Sequence, residues 1–139
     1  MYRRILVAIE NSAADRTIID HVRQLAALTG AELLLVHVAD GFAARHFDDL
    51  QLRESEEMRS DRAYLDRLAN ELASQQFRVT TELAMGDPAT ELIRLATTRR
   101  ADLIAMSTHG HRGLNDLLRG TTVNRVRHEV KIPVLLLRA

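Results

Sequence analysis

Apolar and polar positions along the chain alternate between two patterns. Short, almost entirely apolar runs at 5–9, 33–38, 103–106 and 133–137 are typical of strands that are covered on both faces of a sheet. The segment 78–85 is only partly alternating, which predicts a strand at the edge of the sheet with one face exposed to water. The sequence therefore predicts five strands.

Between these runs, apolar residues return at helical spacing. The first predicted helix has Asn11 or Ser12 as its N-cap and Gly30 as its stop. A long amphipathic helix is predicted from about 54 to 76, and the charge run within it is interpreted as its wet face. A third helix follows Asp87, and the last begins near Thr121. The segment 42–52 shows no clear period and is interpreted as an irregular loop or lid.

Strands separated by helices run parallel, and right-handed crossovers place the helices on both faces of the sheet. The fold class is therefore α/β. We expect one domain over residues 1–139, a doubly wound α/β sandwich with a five-stranded parallel sheet of order 3-2-1-4-5. In this order the switch point lies between strands one and four, where ligands bind beyond the carboxyl ends of the strands. The residues after Ile9 and Met106 are the ones to inspect.

Composition limits the function classes. The 139 residues carry 19 basic and 19 acidic side chains, and a net charge of zero argues against nucleic acid or an anionic membrane as a partner. The absence of cysteine excludes disulfides and thiolate zinc sites, and the apolar run at 5–9 is too short for a signal peptide. We therefore expect a cytoplasmic protein.

The loop after strand four has the residues of an anion site. It holds Gly110, Gly113 and Gly120, and it ends in Thr121 and Thr122 at the predicted helix start. Glycines let backbone amides approach a ligand, and the first amides of a helix have no partner within the helix. Arginine side chains add charge-assisted bonds to phosphate, and the loop supplies two of them, Arg112 and Arg119. The only lysine, Lys131, precedes Ile132, so the phosphate-binding motif GK[ST] is absent from the sequence.

The whole chain, in order, resembles the universal stress protein family. The similar segments are 35–38, 86–88, 101–104, 108–110 and 133–136, together with the acidic end of strand one. Members that bind ATP carry the loop pattern G-x2-G-x9-G-[ST]. Gly110, Gly120 and Thr121 match its last three fixed positions, and Ser107 replaces its first glycine.

The resemblance implies a site for ATP or a related adenine nucleotide, with Mg or Mn arriving together with it. Val38 would flank adenine, and Glu10 would contact the ribose or the adenine edge at the end of strand one, beside Ala8 and Ile9. Two further sets are implied, one along the nucleotide (Met106, Ser107, His109, Gly110) and one at the phosphates (Gly120, Thr121, Thr122, Val123). A regulatory or stress-response role follows, with no catalytic residues and no metal site of the protein's own.

Other interpretations remain open. In the first, the glycine loop is only a connector between strand four and the last helix. In the second, Glu10 is a solvated carboxylate that caps the first helix. The chain would then be an interaction protein of the same fold that binds no nucleotide. A small nucleotide hydrolase is the third interpretation, and slow hydrolysis of bound ATP is compatible with the regulatory role. His37 lies within an apolar strand, so we expect an interior histidine with satisfied hydrogen bonds rather than a metal ligand.

The last strand predicts a partner. It is apolar at four successive positions and lies at the edge of the predicted sheet, where an unpaired strand invites association. Pairing across a twofold axis covers it, and the resemblance implies the same contact. We expect a homodimer that pairs through Val134, Leu135, Leu136 and Leu137. An unidentified protein partner, at no assigned surface, is compatible with the sequence.

Overall fold

The computed structural model describes the backbone of residues 1–40, 47–108 and 114–139, and the side chains of residues 1–39, 56–108 and 121–139. The strands are β1 (Arg4–Ala8), β2 (Glu32–Asp40), β3 (Val79–Gly86), β4 (Leu103–Ser107) and β5 (Val134–Leu137). The helices are α1 (Ala14–Thr29), α2 (Phe47–Ser74), α3 (Pro88–Thr98) and α4 (Leu114–Glu129).

The five strands form one parallel sheet of order β3-β2-β1-β4-β5, which confirms the predicted topology. The central strand β1 pairs with β2 on one side, with Ala8 opposite Val36, and with β4 on the other, with Val7 opposite Ala105. β3 and β5 are the two edges, as expected. Within the described part of the chain, no helix has the length and apolar character needed to cross a membrane.

The core lies in two layers, one on each face of the sheet. Alternate residues of β1 belong to different layers: Ile5 and Val7 pack with α1 and α2, whereas Leu6 packs with α3 and α4. All three of these side chains are fully buried. Because side chains alternate between the faces of a strand, the central strands are apolar at nearly every position.

Two predicted helix ends are confirmed. Gly30 follows α1 in the left-handed conformation, with φ of 75°, and its N–H donates to the Ala26 carbonyl at 2.8 Å. This conformation favours glycine because a Cβ disfavours it. Asp87 caps α3, its carboxylate accepting from the Thr90 N–H at 3.0 Å, and Pro88 occupies the first helical position.

The start of α1 differs from the prediction. The N-cap residue is Ala13, which makes no side-chain capping bond, rather than Asn11 or Ser12. Ser12 accepts weakly from the Ala14 N–H at 3.3 Å, and Asn11 adopts a left-handed conformation with φ of 60°. The carboxylate of Asp15, in the first turn, binds the preceding amides instead. The acidic side chain at the start of α1 therefore holds the loop before the helix rather than the first helical amides.

Two other helices begin earlier than predicted. α2 starts at Phe47, so residues 47–52 are helical rather than an irregular loop, while 41–46 lie outside the described residues. α4 starts at Leu114 and runs through Gly120 and Thr121, which the sequence interpretation placed at the helix start. The segment 114–118 is rich in leucine, a strong helix former, and one glycine inside a helix costs only about 1 kcal/mol. Gly120 therefore does not mark the helix boundary.

Candidate functional site

The carboxyl ends of β1, β2 and β4 meet at one edge of the sheet. Ala8, the last residue of β1, is opposite Val36, and Glu10 and Val38 each follow this pair by two residues along the chain. Val7 is opposite Ala105, which places Met106 and Ser107 one and two residues beyond that pair. The structure thus brings the residues after β1 and the end of β4 side by side at the predicted switch point.

Four predicted residues belong to the same apolar core layer. Ala8, Val38, Met106 and Val123 all belong to the core layer between the sheet and the helices α3 and α4. Met106 and Val123 are buried, and Ala8 and Val38 are partly exposed. Ile9 belongs to the opposite layer, so its side chain is separated from this group by the sheet.

The loop between β1 and α1 is held by a buried carboxylate. Asp15 is only 2% exposed. One of its oxygens accepts from the Glu10 N–H at 2.8 Å, and the other accepts from the Ser12 N–H at 3.1 Å and from the Tyr64 hydroxyl at 2.6 Å. A carboxylate near a helix N-terminus is also favoured by the helix dipole. Asp15 therefore ties α1, the loop and α2 together.

A second buried carboxylate holds the same loop from α2. Asp61 is 6% exposed and accepts from the Asn11 amide nitrogen at 3.0 Å. Its other oxygen lies 3.2 Å from Nε2 of His37. Nδ1 of His37 lies 2.8 Å from the Ile9 carbonyl oxygen, which only accepts hydrogen bonds. His37 thus has a partner at both ring nitrogens, which confirms the expectation of a satisfied interior histidine.

The surroundings of Tyr64 favour the neutral, protonated form of its hydroxyl. Burial, followed by the hydrogen bond to Asp15, raises the pKa of the Tyr64 hydroxyl well above its usual range. An ionised hydroxyl would lose its solvation and would repel the adjacent carboxylate. The hydroxyl therefore stays a hydrogen-bond donor to Asp15 across the ordinary pH range.

Glu10 itself lies at the mouth of this loop. Its carboxylate accepts from the Ser12 hydroxyl at 3.1 Å, and its side chain is partly exposed. The interpretation of Glu10 as a helix cap is not what the structure has, because the N-cap position is Ala13 and the Ala14 N–H donates to the Ser12 hydroxyl. A carboxylate has two oxygens with about four acceptor positions, so one such group accepts more than one hydrogen bond.

The predicted phosphate side is only partly described. Thr121 is exposed and Thr122 is half-buried, and both lie inside α4 rather than at its first turn. The expectation that their amides start a helix is therefore wrong, since amides inside a helix donate to carbonyls four residues earlier. His109, Gly110, Arg112 and Gly113 lie outside the described residues. Arg119 and Gly120 are helical, but the side chain of Arg119 lies outside the described part.

Helix α4 is fixed to α3 by an ion pair. Arg125 lies 2.6 Å from the carboxylate of Asp87 and 3.3 Å from the Thr90 hydroxyl, and Glu129 lies 3.5 Å from the other end of its guanidinium. Hydrogen bonds from the Thr90 hydroxyl and N–H, and then the contact with Arg125, hold the pKa of Asp87 below its usual range. This exposed pair links α3 to the helix that carries Thr121 and Thr122.

Sequence reasoning missed Asp15, Asp61 and Tyr64. The charge run in α2 was interpreted as a wet face, yet Asp61 is buried. A signal was present: Asp61 stands at helical spacing with Leu65, Leu68 and Leu72, on the stripe that packs into the core. A carboxylate on an apolar stripe indicates a buried partner.

Comparison with known proteins decides the family. The model of the universal stress protein family matches residues 1–138. The chain belongs to the universal stress protein family. A universal stress protein from Thermus aquaticus is 30% identical over 152 residues, covering 99% of this chain and 100% of the relative. Universal stress protein MJ0577 of Methanocaldococcus jannaschii is 24% identical over 155 residues, covering 99% of this chain and 96% of the relative.

Solved structures share the fold of this universal stress protein. The structure of protein MJ0577 superposes with a TM-score of 0.83 at 24% identity, covering 100% of this chain and 97% of that one. A universal stress protein in complex with cAMP has a TM-score of 0.69 at 22% identity and covers 99% and 97%. The universal stress protein of Archaeoglobus fulgidus in complex with dAMP has a TM-score of 0.67 at 17% identity and covers 97% of each.

Ser107, matched in the sequence to the first glycine of the loop pattern, is the last residue of β4. It is 7% exposed at the end of β4, opposite Leu137. The next residue, Thr108, donates its N–H to the Leu137 carbonyl at 2.7 Å, which continues the pairing with β5 beyond the strand. The serine is therefore accommodated at the carboxyl end of β4 without breaking the pairing with β5.

The described side chains of this universal stress protein contain no group of three or more histidine, aspartate or glutamate residues arranged to hold a metal ion.

Proposed function

We propose that this universal stress protein binds an adenine nucleotide, ATP in the first place, beyond the carboxyl ends of β1 and β4. The observation that supports the proposal is that Glu10 follows β1, while Val38 and Met106 lie near the carboxyl ends of the two strands that pair with β1. Related proteins of the same fold have been solved with cAMP and with dAMP, both of which contain adenine.

The described residues fit the parts of adenosine. Ala8, Val38, Met106 and Val123 supply an apolar wall for the base. Glu10 supplies an acceptor for the ribose hydroxyls. A pocket that joins an apolar wall to a few directed polar groups is typical of small-molecule sites.

The phosphates extend toward α4 in this proposal. Thr121 and Thr122 offer hydroxyls, and Arg119 adds a positive charge on the same helix. Any Mg or Mn ion arrives with the phosphates rather than from a site of the protein. The role in this proposal is regulatory, in that the presence of the bound nucleotide is the signal. The protein acts in the cytoplasm as a homodimer that pairs through β5.

Calorimetric titration with ATP, AMP and cyclic AMP tests the proposal. We expect saturable binding of ATP to the wild-type protein and a loss of about tenfold or more in Glu10→Ala, the size of a hydrogen bond to a charged group. Glu71→Ala is the matched control, because Glu71 is an exposed carboxylate on α2 that pairs with Arg16. Its affinity for ATP should equal that of the wild type.

Two results would replace the proposal. No heat and no thermal shift at millimolar nucleotide favours an interaction protein that binds no nucleotide. Release of ADP at about one turnover per second or faster in the presence of Mg favours a hydrolase. Binding with slower turnover supports the regulatory role.

A further inference from the structure

The loop that carries Glu10 is held at four successive residues. His37 contacts the Ile9 carbonyl, Asp15 binds the amides of Glu10 and Ser12, and Asp61 binds the side chain of Asn11. The anchors come from three elements: β2, α1 and α2. Glu10 is therefore presented from a backbone that is fixed on both sides of it.

Asp61 is central to this arrangement. Its carboxylate contacts both the Asn11 amide and the His37 ring. The other ring nitrogen of His37 contacts the carbonyl of Ile9, the residue directly before Glu10. Asn11 has a left-handed backbone conformation that most residues disfavour, and its bond to Asp61 helps to hold it there. Removing Asp61 frees the residues on both sides of Glu10.

Burying a carboxylate is costly unless its partners compensate. A loop that only joins a strand to a helix has no need of two buried carboxylates on four residues. Such fixed geometry is what a binding side chain needs, because a contact group held in place loses less entropy when the ligand arrives.

We propose that Asp61 is a positioning residue for nucleotide recognition: through Asn11 and His37 it fixes the β1–α1 loop so that the Glu10 carboxylate meets the ribose hydroxyls of the bound nucleotide. This inference rests on the proposed function and extends it to a residue on α2. Asp61 acts only through Glu10, so its effect must depend on both Glu10 and the ribose hydroxyls.

A thermodynamic cycle tests this dependence. The variants are Asp61→Ala, Glu10→Ala and the double variant, and the ligands are ATP and 2′,3′-dideoxy-ATP, which lacks both ribose hydroxyls. We expect Asp61→Ala to weaken ATP binding by about tenfold and dideoxy-ATP binding by less than about threefold. The double variant should bind ATP no more weakly than Glu10→Ala alone.

Two further variants control for folding. Asp66→Ala removes an exposed aspartate from the same helix and should leave both affinities unchanged. Asp61→Asn keeps one acceptor oxygen and the side-chain volume, so its affinity for ATP should fall between those of the wild type and Asp61→Ala. If Asp61→Ala fails to fold by circular dichroism, Asp61→Asn is put through the same cycle.

The outcomes separate the two proposals. Absence of ATP binding in the wild type overturns the proposed function and this inference with it. Binding in the wild type with equal losses for ATP and dideoxy-ATP in the Asp61 variant overturns the positioning role alone. So does a double variant whose loss is the product of the two single losses, since independent residues act additively in free energy.

Discussion

Replacing Tyr64 by phenylalanine removes one hydroxyl from the centre of the network that holds the β1–α1 loop. The ring stays, and with it the packing of Tyr64 against the core layer of α1 and α2. What is lost is the 2.6 Å hydrogen bond to the buried carboxylate of Asp15. The Tyr64→Phe variant therefore isolates one bond.

The expected loss in the free energy of unfolding follows from the charge of the acceptor, Asp15, and from the exposure of Tyr64. A hydrogen bond to a charged group contributes about 1.5–3 kcal/mol to stability. Tyr64 is half-buried, so water can partly replace the lost donor and the lower figure applies. We expect the free energy of unfolding to fall by about 1.5 kcal/mol, and the Tm of a chain of this length to fall by about 5 °C.

The effect has a defined pH dependence. The pKa of Tyr64 is raised in the folded protein, so the stability that its neutral hydroxyl contributes is fully present below the unfolded pKa near 10. It is lost as the pH rises above 10 toward the higher folded pKa. This contribution falls by about 1.4 kcal/mol per pH unit. The wild type and Tyr64→Phe should therefore have equal free energies of unfolding near pH 11.

Urea unfolding followed by circular dichroism at pH 7.5, 10 and 11 measures both effects. Tyr2→Phe is the matched control, because Tyr2 also packs partly buried against the same core layer. Equal stability of wild type and Tyr64→Phe at pH 7.5 would refute the assigned bond. A difference that stays constant from pH 7.5 to 11 would refute the argument from the raised pKa.

Two further variants test the cap of α3 and the partner surface. Asp87→Ala should lower the free energy of unfolding by about 1 kcal/mol at pH 7. Since the pKa of Asp87 is lowered in the folded state, this contribution is present above its unfolded pKa near 4 and is lost on acidification. Urea midpoints of wild type and variant should therefore converge near pH 2, and an unchanged gap would contradict the assignment. Leu136→Lys places a charge on the edge strand β5 and should yield monomers in sedimentation, whereas Thr80→Lys on the opposite edge strand β3 should leave the dimer intact. A dimer that persists in Leu136→Lys would place the interface elsewhere.

The topology was predictable because it depends on short-range patterns. Apolar runs of strand length, separated by helical periods, leave few options once right-handed crossovers are required. Gly30 and Asp87 were also predictable, because each ends or starts a helix through chemistry within four residues. Such signals are complete within a local window of sequence.

The loop network was not predictable because its partners are distant in the chain. Asp61 is 50 residues from Asn11, and only the packing of α2 beside β2 and the β1–α1 loop makes it a buried acceptor. The start of α4 was misjudged for a different reason. Glycine at 120 was interpreted as a boundary, while the helix-forming leucines before it extend the helix to Leu114.

Amide chemical shifts during a titration with ATP test the central claim most directly. The account predicts saturable shifts at Glu10, Val38 and Thr108, at the carboxyl edge of the sheet, and at Thr121 on α4. Amides at the opposite edge, such as those of Arg3 and Arg4 that bind Asp102, should stay unchanged. Shifts confined to that opposite edge, or no saturable shift at millimolar ATP, would contradict a nucleotide site at the switch point.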